Sequence, residues 1–224
     1  MSLGRGRADS PAVILRADAV RKRFDERTVL AGASLTLSPG DVVFLSGANG
    51  SGKTTFARIL ATLLPPDDGE VLLDDEPVGE HRRAARRAIG FATHQPLLYS
   101  GLTPLENLEF FGRLAAVAGA AATASALLER FGLTAFANTP LATFSRGMLQ
   151  RVVLSRALLG NPRVLILDEP YAGLDTEGVS ALNAIIGECR ARGAATLLIG
   201  HDRDRAAGVT TRAARLDRGR IEAE

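Results

Sequence analysis

The residues most able to do chemistry sit in two short stretches. GANGSGKTT, from Gly47 to Thr55, combines three glycines with a lysine and hydroxyls. Gly47, Gly50 and Gly52 let the chain turn tightly, so the backbone N–H groups around Ala48, Asn49 and Ser51 can converge on phosphate oxygens. The helix expected to start at Lys53 adds its positive dipole end. Lys53 then places a point charge on the β- and γ-phosphates, and the hydroxyl of Thr54, followed by Thr55, suits Mg²⁺. The second stretch is VLILDEP, Val164 to Pro170. An apolar strand delivers Asp168 to the C-terminal edge of a sheet, where ligands gather in open α/β folds. Asp168 is expected to hold Mg²⁺, and Glu169 to polarise an attacking water, since phosphoryl transfer depends on positioning and electrostatics.

These residues need particular elements to hold them. Val13 to Phe24 and Thr28 to Leu37 read as strands joined by a polar turn, and Asp41 to Gly47 as a short buried strand. A helix is expected from Lys53 to Leu64, stopped by Pro65 and Pro66. Glu70 to Leu73 and IGFAT read as strands, with a short basic helix around His81 to Arg87 between them. Residues 96–160 change to helical patterning, broken at Gly119, Gly132 and Asn138-Thr139-Pro140. Alternation then resumes: strand Val164 to Leu167, helix Thr176 to Arg192, strand Ala194 to Gly200 and two short closing strands. The pattern implies an α/β fold with a mainly parallel sheet covered on both faces. Residues 1–11 read as a loose arm, and residues 12–224 as one domain with a helical subdomain at about 96–160.

Composition narrows the field. The 224 residues are 46% hydrophobic and 23% charged, enough for one sizeable core. A net charge of +2 makes no broad electrostatic case for nucleic acid, so no nucleic-acid partner is expected. Cys189 is the only cysteine, which excludes an internal disulfide and fits a reducing compartment. The start has no apolar signal-peptide core. The Ala- and Gly-rich uncharged run Leu114 to Leu128 falls short of the roughly 20 apolar residues that span a bilayer. HRRAARR, His81 to Arg87, reads as a solvated helix face.

The wider pattern resembles the ATP-binding-cassette (ABC) ATPases over nearly the whole chain, Val13 to Ile221, with every motif in family order. FSRGMLQR, Phe144 to Arg151, looks like their signature, and AGLD, Ala172 to Asp175, is similar to their D-loop. Gln95 falls at their Q-loop glutamine, His201 at their switch histidine, and Phe24 resembles the aromatic residue on which adenine stacks. The signature departs from the usual Leu-Ser-Gly-Gly-Gln: Phe144, Arg146 and Met148 replace three members, while Ser145 and Gly147 remain.

The resemblance implies a P-loop NTPase of ABC type: a mainly parallel core, an antiparallel β subdomain and an inserted helical subdomain. It implies ATP and Mg²⁺ as cofactors, with Thr54, Gln95 and Asp168 at the metal and Glu169, His201 and Gln95 catalytic. Two copies would form a homodimer on binding ATP, Ser145, Gly147 and Asp175 of one facing the phosphate loop of the other. Integral membrane transporter subunits are the implied partners, received by Gln95 to Arg113 at the cytoplasmic face of the cell membrane. HQPLLYSGLTPLENLEFFGRL, FSRGMLQR and DEPYAGLD together look most like the haem-exporter ATPases of cytochrome c maturation. ATPases of drug, polysaccharide or lipid exporters and soluble ABC switches are the alternatives. A P-loop kinase or GTPase is a further rival, but no guanine-selecting Asn-Lys-x-Asp occurs.

Overall fold

The computed structural model describes residues 14–224; the expected arm at 1–11 and Val13 lie outside them. The chain opens with β1 (Leu15–Phe24), β2 (Arg27–Leu37), β3 (Val42–Ser46), α1 (Lys53–Leu60), β4 (Asp68–Leu73) and β5 (Glu76–Pro77). Then come α2 (Arg82–Ala88), β6 (Ile89–Ala92), α3 (Pro104–Leu114), α4 (Ala120–Arg130) and α5 (Arg146–Leu158). It closes with β7 (Val164–Asp168), α6 (Thr176–Ala191), β8 (Ala195–Ile199), α7 (Arg203–Ala206), β9 (Arg212–Asp217) and β10 (Arg220–Ala223).

Two sheets form. The first, β2-β1-β4-β5, is antiparallel. The second has the order β10-β9-β3-β8-β7-β6 and is parallel except for the closing β9–β10 hairpin. The strand order matters most for function. β8 lies between β3 and β7, with Ile199 opposite both Leu45 and Asp168. The turns that follow these three strands therefore open side by side at one sheet edge.

One apolar cluster fills the space between the sheets. Phe56, Ile59 and Leu60 of α1 meet Leu15, Val20 and Leu30 from the first sheet and Val43, Leu45 and Ile166 from the second. A second cluster covers the opposite face of the parallel sheet, where Phe44, Leu165 and Leu167 pack on Val153, Leu182 and Ile186. Both faces are covered, so β7 and β8 are buried throughout. Burying one side chain such as Phe44 or Phe56 contributes about 1.5–3 kcal/mol. The inserted helices hold a third cluster around Leu108, Leu128, Leu133, Leu141 and Val152. Among the described residues no helix is long and apolar enough to cross a membrane.

Helix α1 ends earlier than its sequence suggests, at Leu60 rather than at the prolines. Thr62 takes a left-handed conformation, φ 60°, while the N–H of Leu63 bonds the Arg58 carbonyl and that of Thr62 the Ile59 carbonyl. This is a glycine-type helix stop formed with threonine. Its cost is offset by Arg86, which donates to both the Thr62 hydroxyl and the Thr62 carbonyl. Helix α3 begins only at Pro104, behind a Thr103–Glu106 capping box, so residues 96–103 are loop.

Candidate functional site

The turn after β3 is the phosphate-type loop, and its glycines are required by space. Gly47 has φ 149°, and a Cβ there would meet the Leu216 carbonyl oxygen at 2.5 Å. Gly52, with φ 106°, caps α1, and a Cβ would press on Val29 and Leu30 at 3.0 Å. No side chain caps α1, so its first N–H groups remain available to an anion. Lys53 is 8% exposed and folds back over the loop, donating to the carbonyls of Gly47 at 2.7 Å and Ala48 at 3.0 Å. The Ser51 N–H donates to Ala48 in the same turn. Burial pushes the Lys53 ammonium below its ordinary pKa, against the opposing pull of Glu169 and Asp168.

Asp168 ends β7 only 1% exposed, and its Oδ2 has no hydrogen-bond partner. A buried carboxylate oxygen of this kind calls for a partner from outside the chain. Glu169 follows with φ 54°, a conformation uncommon for a residue with a side chain, held by its N–H donating to the Ile199 carbonyl at 2.8 Å. His201 leaves β8 after Gly200, and its Nε2 lies 3.5 Å from Glu169 Oε1. Burial raises the Glu169 carboxyl above the ordinary glutamate range. Asp168 adds to the rise, while His201, Lys53 and His94 oppose it.

Phe24, Asn49, Gly50, Gly52, Lys53, Thr54, Thr55, Asp168, Glu169 and His201 line one cleft of about 320 Å³. Ten of the residues singled out from sequence thus share a cavity, although four different loops carry them. Phe24 is 46% exposed at its rim, with Lys22 Nζ 5.8 Å from the ring centroid.

The remaining expected residues lie off the cleft lining. Gly47, Ala48 and Ser51 supply loop backbone. Gln95 is exposed, its side-chain oxygen accepting from Arg58 at 3.4 Å. Ser145 is the N-cap of α5 and accepts from the Met148 N–H. Gly147 leaves no room for a side chain, since a Cβ would stand 2.5 Å from the Gly173 carbonyl. Asp175 caps α6 through the Gly178 N–H and pairs with Arg151 Nη2 at 2.5 Å. These two bonds hold its carboxyl below the ordinary aspartate value. In a single chain, then, the signature helix and its D-loop partner are tied to each other rather than to the cleft.

Sequence reading missed Arg27 and Val29, which also line the cleft. Arg27 pairs with Phe24 across the β1–β2 turn and reaches the Gly50 carbonyl at 3.5 Å. The hairpin alternation that marks Phe24 could have marked its partner.

The donor set fits a small hard cation. Thr54 offers a hydroxyl and Asp168 an unpartnered carboxylate oxygen in the same cleft. Among the described residues no cluster of three or more His, Cys, Asp or Glu could hold a metal unaided. That suits Mg²⁺, which keeps waters and takes other ligands from substrate phosphates.

Known proteins match this chain along most of its length. The family model described as ABC transporter matches residues 30–172. The cytochrome c biogenesis ATP-binding export protein CcmA of Shigella flexneri is 37% identical over 177 residues, 79% of this chain and 84% of that protein. The Nod factor export ATP-binding protein I of Paraburkholderia xenovorans is 35% identical over 216 residues, 96% of this chain and 71% of that protein. Among solved structures, an ATP-binding subunit of an ABC transporter superposes with TM-score 0.87 at 28% identity, over 94% of this chain and 88% of its own. A dimeric ATP-binding cassette in a post-hydrolysis state with ADP and phosphate gives TM-score 0.83, also at 28% identity, covering 94% and 98%. The matches agree with the cleft in kind, and the chain belongs to the ABC transporter family as one of its ATP-binding, ATP-hydrolysing subunits.

Proposed function

We propose that this subunit is magnesium-dependent and drives an exporter whose channel is built by separate membrane subunits, with haem export for cytochrome c biogenesis as its task. The observation that carries the catalytic part is the pairing of Glu169 with His201 at 3.5 Å, beside Lys53 and the unpartnered Asp168 oxygen. Lys53 and the N–H groups at the start of α1 neutralise the β- and γ-phosphates of ATP. Glu169 orients the attacking water and accepts its proton, and His201 holds that carboxylate in place. Thr54 and Asp168 would hold Mg²⁺, with Gln95 joining them once released from Arg58, and the ion would supply charge stabilisation to the phosphates. Phe24 stacks on adenine at the rim.

A second copy supplies Ser145, Gly147 and Asp175 to the same nucleotide, and the solved dimeric relative with ADP and phosphate supports this arrangement. The subunit then sits at the cytoplasmic face of the membrane through its partners. Leu97, Tyr99, Phe110 and Leu114, all exposed on or before α3, are the apolar face for them. The 12–224 domain and its 96–160 helical block are read in the same way, as engine and receiver.

For the cargo, the CcmA likeness over 79% of this chain supports cytochrome c biogenesis. The Nod factor export relative spans 96%, and keeps export of another lipid or polysaccharide as the second reading. The test is deletion of this gene in its own host. Specific loss of c-type cytochromes, restored by the parental gene but not by E169Q, supports haem export; undiminished c-type cytochromes contradict it.

A further inference from the structure

Helix α2 carries Arg82, Arg83, Arg86 and Arg87, and its own stability does not account for them. Arg87 and Arg86 suit the negative end of the helix dipole, and Arg86 is turned inward onto Thr62. Arg82 and Arg83 are the reverse case. They occupy the first turn, where the dipole disfavours cations, with no acidic residue there and no side-chain cap. Arg83 and Arg87 also stand one turn apart with like charge, an unfavourable spacing. All three outward arginines are exposed, and among the described residues none joins an ion pair. Of the neighbouring acids, Glu76 faces His81, Asp74 pairs with Arg163 and Asp75 with Arg16; Glu80 is exposed and joins no ion pair among the described residues.

An exposed apolar side chain lies where α2 meets α1. Through Arg86 and Thr62, α2 meets the end of α1, where Leu63 is 51% exposed. Past the end of α5, Gly160 lies against the Arg87 carbonyl, where an added Cβ would stand 3.5 Å away, so this side of α2 packs on backbone. Exposed arginines beside an exposed leucine combine charge and apolar area in the way that holds proteins at an anionic membrane surface.

We propose that Arg82, Arg83 and Arg87, with Leu63, rest directly on anionic lipid headgroups beside the membrane subunits. The expected location rests on the exporter reading, but the contact is tested without it. Purified full-length chain is floated with vesicles of phosphatidylcholine alone, or of equal parts phosphatidylcholine and phosphatidylglycerol. It floats with the anionic vesicles only, and added salt releases it. R82Q/R83Q/R87Q weakens partitioning about a hundredfold with ATP binding unchanged, the Lys triple variant restores it, and L63S costs about fivefold. Equal flotation with both vesicles, no flotation, or parental flotation of the Gln variant overturns the proposal. So does a parental chain that ignores vesicles while the Gln variant loses assembly with the membrane subunits, since the occupant is then an acidic protein segment. ATPase stimulation by those subunits tests the exporter reading separately.

Discussion

Arg151 on α5 and Asp175 at the head of α6 meet at 2.5 Å, so the signature helix is coupled to the turn that follows Glu169. Arg151 also donates to the Phe131 carbonyl, which anchors it in the helical block. Asp175 in turn caps α6. One salt bridge therefore links the inserted helices to the loop carrying the acidic pair, and a shift of either is felt by the other.

Breaking that link is the first test. Asp175→Ala removes cap and pair together and lowers Tm, whereas Asp175→Asn keeps most of the cap and recovers most of the loss. Because the folded carboxyl titrates below its ordinary value, its stabilising share is full above that ordinary value and fades as pH falls through the lowered one. Thermal melts of parent and both variants across acidic pH check this; equal melting at all pH values counts against a structural link.

Lys53→Ala removes the one lysine among the described residues that line the cleft and is expected to weaken ATP binding by at least about a hundredfold. Equilibrium titration with a fluorescent ATP analogue measures it. The fold persists, because Lys53 donates only to carbonyls of its own loop.

Gly47→Ala tests the loop by space alone. The new Cβ has a carbonyl oxygen at 2.5 Å in a backbone region that side chains avoid. The loop must shift, at a cost of about 1–3 kcal/mol, and nucleotide affinity drops with it. Calorimetry on the same sample reads both; parental affinity would show the loop to be slack.

The pH dependence has a definite sign. Glu169 acts as base only when ionised, and burial raises its carboxyl. The acid limb of kcat/KM is expected above the ordinary glutamate value of about 4.3, with activity falling as pH drops through it. A profile flat down to about pH 4 would contradict the assignment.

The two segments of the candidate site were legible in the sequence because each is local. GANGSGKTT and VLILDEP each carry their residues, strand and turn within one short segment, and the structure places both as read. The α/β class followed from periodicity. What was not legible depends on distant partners. Nothing near Ile199 announces that β8 slips between β3 and β7, yet that order brings Lys53, Glu169 and His201 together. The turn that ends α1 is bonded by Arg86, 24 residues away from Thr62, and Gln95 lies off the cleft lining, bonded to Arg58. Helix α7, with Asp202 as its cap, is too short to leave a periodic signal.

The central claim is that water aligned at Glu169 splits ATP seated over Lys53. Single-turnover hydrolysis by Glu169→Gln, with Mg²⁺ present and binding measured on the same sample, tests it most directly. The account predicts parental ATP affinity, hydrolysis slowed by about a hundredfold or more, and an ATP-bound dimer that accumulates on size-exclusion chromatography. Hydrolysis at the parental rate would contradict it.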